Sequence, residues 1–393
     1  MIRRLTPGLL FLIGCGASTA GSAGSESARA SLDSTRERAA EALAHGDLHR
    51  AQEAIDEALS IDPSEPATLG FAARRARSRG APGPALALLS ESSRPDLVRL
   101  RARARLRMGQ VEETIQDLAS VEDAEPADGW ATAVLPVLRG VGQELYQVRG
   151  EARGTIPFVG SSALPIVAIE IDGEEALALV STAADWMVVD PAIRPEGGVL
   201  REVGLGGVTV EAVPALARDL DGIRAELGVD VTAVLGLDLL LRFSFTLDFR
   251  ERWMVLEREG EPTDGTPAMV GYTMLSSDFL AVVAEADGQS GWFVIDTAGA
   301  FPLALADELV DRLALSDDRL VAVPGAASDT IRGTEIRRLG IGNFAVDEVP
   351  AVTGLVPEEL GALTGTRVSG MIGAMALQQF KLRFEPSRRI VFE

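Results

Sequence analysis

The sequence predicts a multidomain α + β chain, with helical hairpins in its N-terminal part and an all-β, two-lobed C-terminal part. Three observations lead there. Up to about residue 150, apolar residues recur at three–four spacing, the mark of amphipathic helices. Beyond it, apolar residues alternate with period two between Gly, Asp-Gly and Pro turns, as they do in half-buried strands. The β part is also written twice, in four blocks that keep one order.

Residues 1–15 come first. A short basic start (Arg3, Arg4) precedes an apolar run from Leu9 to Ile13 and then Leu12-Ile13-Gly14-Cys15. The run is too short to span a bilayer. It resembles a bacterial lipoprotein signal, whose Leu-x-Gly-Cys box is cut before a cysteine that is then lipidated. The resemblance implies an exported protein, anchored in the bacterial cell envelope and facing the periplasm or the outer membrane. An ordinary secretory signal and a coincidental cysteine in a frayed N-terminus are the other readings. Cys15 is the only cysteine, so no intramolecular disulfide can form. Residues 16–30, rich in Gly, Ser and Ala, are expected to be a flexible tether.

Residues 31–150 carry the helical pattern. Ala39, Ala42 and Leu43 lead into Gly46, and Ala51, Ile55, Ala58 and Leu59 run on to Asp62-Pro63. The spacing recurs from Gly46 to Gly80, from Ala51 to Ala85 and from Ile55 to Leu89, with a shortened third unit around Gly109. A helix-turn-helix period of about 34 residues with small residues at the crossings resembles the tetratricopeptide repeat. That resemblance implies a groove for a peptide or protein partner. A helical cap packed on the rest of the chain is the alternative.

The first lobe is placed at 155–258, a polar linker at 259–270 and the second lobe at 271–393. Leu177-Ala178-Leu179-Val180-Ser181-Thr182-Ala183 corresponds to Trp292-Phe293-Val294-Ile295-Asp296-Thr297-Ala298, and each block follows an Asp-Gly turn at the same distance (Asp172-Gly173, Asp287-Gly288). Gly204–Pro214 aligns with Gly340–Pro350, and Val234–Phe243 with Met371–Phe380. Each half ends in an alternating strand, Phe243–Glu257 and Phe380–Glu393. Gly204-x-Gly206-Gly207 lacks the third glycine of a dinucleotide loop and reads as a hairpin turn.

Composition removes several chemistries. The formal charge of −21 argues against nucleic acid, whose binding rests on Lys and Arg neutralising phosphates. His45 and His49, the only histidines, lie in the helical part, so Ser-His-Asp and Cys-His catalysis and His-rich metal sites are excluded from the lobes. Lys381 is the only lysine. No cofactor and no metal site is expected. The oligomeric state is not legible.

The second lobe resembles a pepsin/retropepsin-type aspartic peptidase lobe. Val294-Ile295-Asp296-Thr297-Ala298-Gly299-Ala300 matches that family's Asp-Thr-Gly turn, with Ala298 in place of the usual Gly, and Met371-Ile372-Gly373 matches its later apolar-apolar-Gly strand. Pro324–Thr330 lies where the family has its flap. The first lobe follows the same outline through Val234-Leu235-Gly236, but Ser181 stands at the acid position and its flap is cut to little more than Pro195–Gly198. The resemblance implies two facing carboxyls that share a proton. Here it leaves Asp296 with Thr297 and a degenerate partner, Ser181. Three readings of Asp296 stay open. It is a relic in a non-catalytic fold that binds a peptide or protein. It works as an aspartic-type catalyst with another acid, or by pairing across a homodimer. Or it is a structural turn residue in a different β fold. Asp185 and Asp238 are the candidate substitute acids, Asp238 being expected as a solvated helix-start residue. Ser181 has no His or Lys base and cannot serve as a nucleophile. Trp186, Trp253 and Trp292 are expected in the lobe core or the cleft wall.

Overall fold

The computed structural model describes residues 20–78, 81–122, 129–142, 144–258, 268–270, 272–274, 279–316, 319–323, 328–358, 360–361, 366–385 and 389–393. Cys15 and residues 324–327 of the expected flap lie outside them.

Seven helices open the described chain: α1 (Ala20–Ala44), α2 (Leu48–Ile61), α3 (Pro66–Ser78), α4 (Pro82–Leu89), α5 (Pro95–Arg107), α6 (Val111–Glu122) and α7 (Gly129–Arg139). The expected tether is therefore helical from Ala20 onward. Alanines at 20, 23, 28 and 30 explain the difference, since Ala is the strongest helix former. Gly46 (φ +74°) and Gly109 (φ +73°) turn α1 into α2 and α5 into α6, using the left-handed conformation open to glycine. Asp47 caps α2 by accepting from the Arg50 N–H at 3.0 Å. Ala39, Ala51, Ala54 and Ala58 are buried, so the facing helices approach closely. Across α5 and α6, Arg101 and Arg105 both pair with buried Asp117 at 2.7 Å.

After α7 the chain becomes mostly strand. The helical part was expected to run to residue 150, but β1 (Gln147–Gly150) is already paired with the first lobe. Next come β2 (Arg153–Pro157), β3 (Ile166–Ile171), β4 (Glu174–Val180), β5 (Met187–Val189), β6 (Gly198–Leu205), β7 (Val208–Ala217), α8 (Asp221–Leu227), β8 (Val231–Leu235), α9 (Leu237–Leu240), β9 (Ser244–Asp248) and β10 (Trp253–Glu257). The second half contains β11 (Ala268–Val270), β12 (Tyr272–Met274), β13 (Phe279–Ala286), β14 (Gln289–Asp296), β15 (Leu303–Leu305), α10 (Asp307–Arg312), β16 (Val321–Ala322), β17 (Arg332–Ile341), β18 (Phe344–Thr353), β19 (Gly370–Gly373), α11 (Ala374–Leu377), β20 (Lys381–Phe384) and β21 (Arg389–Phe392).

The two halves repeat strand for strand. The first barrel runs β7-β5-β8-β4-β3-β6 and closes through β6–β7. The second runs β13-β14-β19-β15-β18-β17 and closes through β13–β17. In each, the strand ending at the Ser181 or Asp296 turn pairs in parallel with a later strand, β4 with β8 and β14 with β19. The Gly206-Gly207 turn (φ +58° and +95°) joins β6 to β7 as a tight hairpin. The closing segments are not single strands, as the alternation suggested, but hairpins. Asp248 to Arg252 reverses β9 into β10, with Asp248 Oδ1 accepting from both the Arg250 and the Glu251 N–H groups.

Those hairpins build a third sheet, β11-β21-β20-β9-β10-β2. It is shared by both halves through the antiparallel pairing of β9 with β20, in which Phe245 faces Phe384. The two rings stack with centroids 4.3 Å apart. One continuous core, rich in Leu, Val, Ile and Phe, runs through both barrels and this sheet.

The helical array touches both lobes. Trp186 of the first lobe is buried with Val98, Leu118 and Leu135 of the helices. Trp292 of the second donates its indole N–H to the Leu43 carbonyl. These two tryptophans, expected in the lobe core or cleft wall, are the seam between domains, and Trp253 is 41% exposed on β10.

Candidate functional site

The site lies where the two crossed loops meet. Thr182 and Thr297, 115 residues apart, bond reciprocally across the lobe boundary. The Thr297 hydroxyl donates to the Val180 carbonyl at 2.8 Å and accepts from the Thr182 N–H at 3.1 Å. The Thr182 hydroxyl donates to the Ile295 carbonyl at 2.6 Å and accepts from the Thr297 N–H at 3.2 Å. Both threonines are fully buried. Of the two, Thr297 is the one that the Asp-Thr pattern marks in the sequence. Thr182 was legible from the same alignment, because it occupies the corresponding position of the first lobe.

This lattice carries Ser181 and Asp296 in related positions. The Ala183 N–H donates to the Ser181 hydroxyl at 3.3 Å, and the Ala298 N–H donates to Asp296 Oδ1 at 3.0 Å. The supporting crossings match as well: the Leu237 N–H donates to the Ala184 carbonyl, and the Ala374 N–H to the Gly299 carbonyl, both at 2.9 Å. Two glycines make the crossings possible. A Cβ on Gly236 would lie 2.3 Å from the Trp186 carbonyl oxygen, and one on Gly373 would lie 2.0 Å from that of Phe301.

Burial pushes the Asp296 carboxyl up to about 6, opposed by the N–H groups of Ala298 and Gly299. A single carboxyl with that value is mostly ionised at neutral pH. Ser181, at the corresponding turn of the first lobe, has no carboxyl to share a proton with Asp296.

Neither candidate substitute acid joins Asp296. Asp185 pairs at 2.7 Å with Arg103 of α5. Asp238 is not a solvated helix-start residue but is buried, and it accepts the Tyr146 hydroxyl at 2.5 Å. The helices that cover the first lobe remove it from water, and no local sequence signal reports that. Among the described residues no group of acids, histidines or cysteines could hold a metal ion.

Beside Ser181 is a cavity of about 410 Å³. Its walls are mostly apolar (among them Leu179, Val188 and Ile223), Ser181 and Ala298 reach it from the two loops, and Arg218, Asp219 and Glu226 also line it. Residues of α8 were not singled out from the sequence, because a short helix between strands leaves no distinctive pattern. The flaps differ. Asp190–Gly197 joins β5 to β6 directly, whereas the same connection in the second lobe runs from Ala306 to Ile331 and includes α10 and the β16–β17 pairing.

No family model matches the chain, and no curated protein matches it. Solved structures do. A retropepsin-like aspartic protease from Rickettsia conorii is 16% identical over 29% of this chain and 81% of its own, with a TM-score of 0.23. Basic 7S globulin from soybean is 12% identical over 63% of this chain and 94% of its own, with a TM-score of 0.36. An O-GlcNAc transferase mutant from Thermobaculum terrenum is 22% identical over 29% of this chain and 23% of its own, with a TM-score of 0.27. The described residues themselves form two six-stranded barrels joined by crossed loops and a shared sheet, a two-lobed β arrangement.

Proposed function

We propose that the chain is an exported bacterial lipoprotein whose two-lobed domain holds a peptide or protein segment without cutting it. Its helical hairpins would serve as a tetratricopeptide-like second contact surface. The observation that carries the non-catalytic reading is Ser181, bonded to the Ala183 N–H just as Asp296 is bonded to the Ala298 N–H. Peptide hydrolysis by this fold needs one carboxylate to activate water and one carboxylic acid to polarise the carbonyl. At the two turns the described residues supply one such carboxyl, Asp296, with Ser181 at the other. The cavity beside Ser181 supports binding, since it offers apolar walls and a few polar groups next to the cleft.

Pairing of two Asp296 lobes across a homodimer is the weaker alternative. The Thr182–Thr297 bonds and the β9–β20 pairing, which join the two lobes of one chain, would have to break first.

The test is incubation of the full chain with denatured protein and with a peptide library between pH 3 and 7. Losing an acid–base partner removes about 10²–10⁴-fold in rate. Cleavage should therefore stay at background, in the wild type as in Asp296→Asn. Wild-type cleavage that disappears in Asp296→Asn would establish a working peptidase instead. For the anchor, Cys15→Ser should move the protein from the membrane to the soluble fraction. A variant that stays with membranes, together with a wild-type mass that carries no lipid, rules the anchor out.

A further inference from the structure

Where α5 and α7 cover the first lobe, a narrow cavity is lined by Arg103, Arg107 and Trp130 from the helices and by Tyr146, Asp238 and Arg242 from the lobe. Asp238 is 6% exposed. Its Oδ2 accepts the Tyr146 hydroxyl at 2.5 Å, and its Oδ1, also buried, accepts no hydrogen bond. The Arg242 guanidinium lies 4.1 Å over the Tyr146 ring, and its Nε donates to the backbone carbonyl of Asp238 rather than to the carboxyl. The Asp238 N–H donates to the Asp185 carbonyl at 3.1 Å. Asp185 in turn pairs with Arg103, whose guanidinium stacks 3.9 Å from the Trp130 ring. Asp238 is thus bonded through its backbone to the loop that begins at Ser181, and that loop is paired with α5 through Asp185 and Arg103.

We propose that Asp238 and Tyr146 form a proton-operated joint, which seats the helical array on the Ser181 loop while Asp238 is protonated and loosens it as the carboxyl ionises. Burial penalises the charged carboxylate more than the neutral acid. The groups facing it are Tyr146, Arg242, Arg107, Arg103 and Asp185. The Tyr146 hydroxyl, the Leu239 N–H and the charges of Arg107 and Arg242 favour the charged form, and burial still holds the carboxyl at about 6. If the helices lift, water reaches Asp238 and its value returns toward the ordinary 3.8. The docked state therefore binds the proton more tightly. Its added stability is complete below the ordinary value and is lost as pH rises through about 6.

The experiment is hydrogen–deuterium exchange on the full chain at pH 5 and pH 8, corrected for the intrinsic rate, following peptides from α5, α7 and residues 181–186. Protection in these peptides should fall roughly tenfold from pH 5 to pH 8 in the wild type. Asp238→Asn should show no such fall. Tyr146→Phe removes the hydroxyl that favours the carboxylate, so its midpoint should move to higher pH. Asp296→Asn, which removes the other raised carboxyl, should keep the wild-type profile. Protection that does not change with pH in the wild type, or that falls equally in Asp238→Asn, overturns the proposal. Should Asp238→Asn fail to fold, an unchanged midpoint in Tyr146→Phe overturns it as well.

Discussion

Gly373→Ala is expected to leave little folded protein, with a loss of about 3–5 kcal/mol. The backbone conformation is not the obstacle, since φ is −88° there. Space is. An added Cβ would sit 2.0 Å from the Phe301 carbonyl oxygen and 2.9 Å from that of Gly299. Neither can retreat. The Gly373 N–H donates to the Pro302 carbonyl and the Ala374 N–H to the Gly299 carbonyl, so moving either strand breaks the crossing that positions Asp296. Gly236→Ala should do the same in the first lobe, against the Trp186 carbonyl. Gly83→Ala is the control, because nothing lies within 4 Å of its Cβ position. In α4 that change should stabilise by about 0.5–1 kcal/mol through helix propensity. Soluble yield and the urea midpoint measure all three, and a Gly373→Ala protein with the wild-type midpoint contradicts the account of the crossing.

The Thr182→Val/Thr297→Val double variant should lose about 4–6 kcal/mol. Valine keeps the shape of threonine and removes the hydroxyl. Each substitution strands one buried N–H and one buried carbonyl: the Thr297 N–H and Ile295 carbonyl in one case, the Thr182 N–H and Val180 carbonyl in the other. Unpartnered buried groups cost about 1–3 kcal/mol each. The single variants should each lose roughly half, and the serine replacements, which keep the hydroxyls, should lose only about 1 kcal/mol for the missing methyl. Urea denaturation distinguishes these values. Valine variants as stable as the serine variants would show that the lattice does not hold the lobes.

Much of the candidate site could be read along the chain because each lobe carries its own copy of a short pattern. The Asp-Gly turn, the apolar strand and the Thr after Ser181 or Asp296 are local features, and a local feature repeated at constant offset is visible without a fold. Asp238 was read wrongly for the same reason. A polar residue at the start of a helix is solvated in most settings, and what buries this one comes from α5 and α7, more than a hundred residues earlier. Trp186 and Trp292 were expected inside the lobes because large apolar side chains seek a core. The core they find belongs partly to another domain.

The amino-acid order by itself determined the doubling of the β part, the helical period before it and the replacement of one acid by Ser181. Residue identity and spacing are one-dimensional, and strand alternation and turn chemistry depend on near neighbours. The tertiary structure alone decided that the two threonines interlock, that Asp296 accepts from the Ala298 N–H in a buried turn, and that the helices sit on the loop bearing Ser181. Those facts depend on desolvation and close packing between segments remote in the chain. The free energy of such contacts is set by which surfaces meet, and periodicity within one segment carries no record of what will cover it.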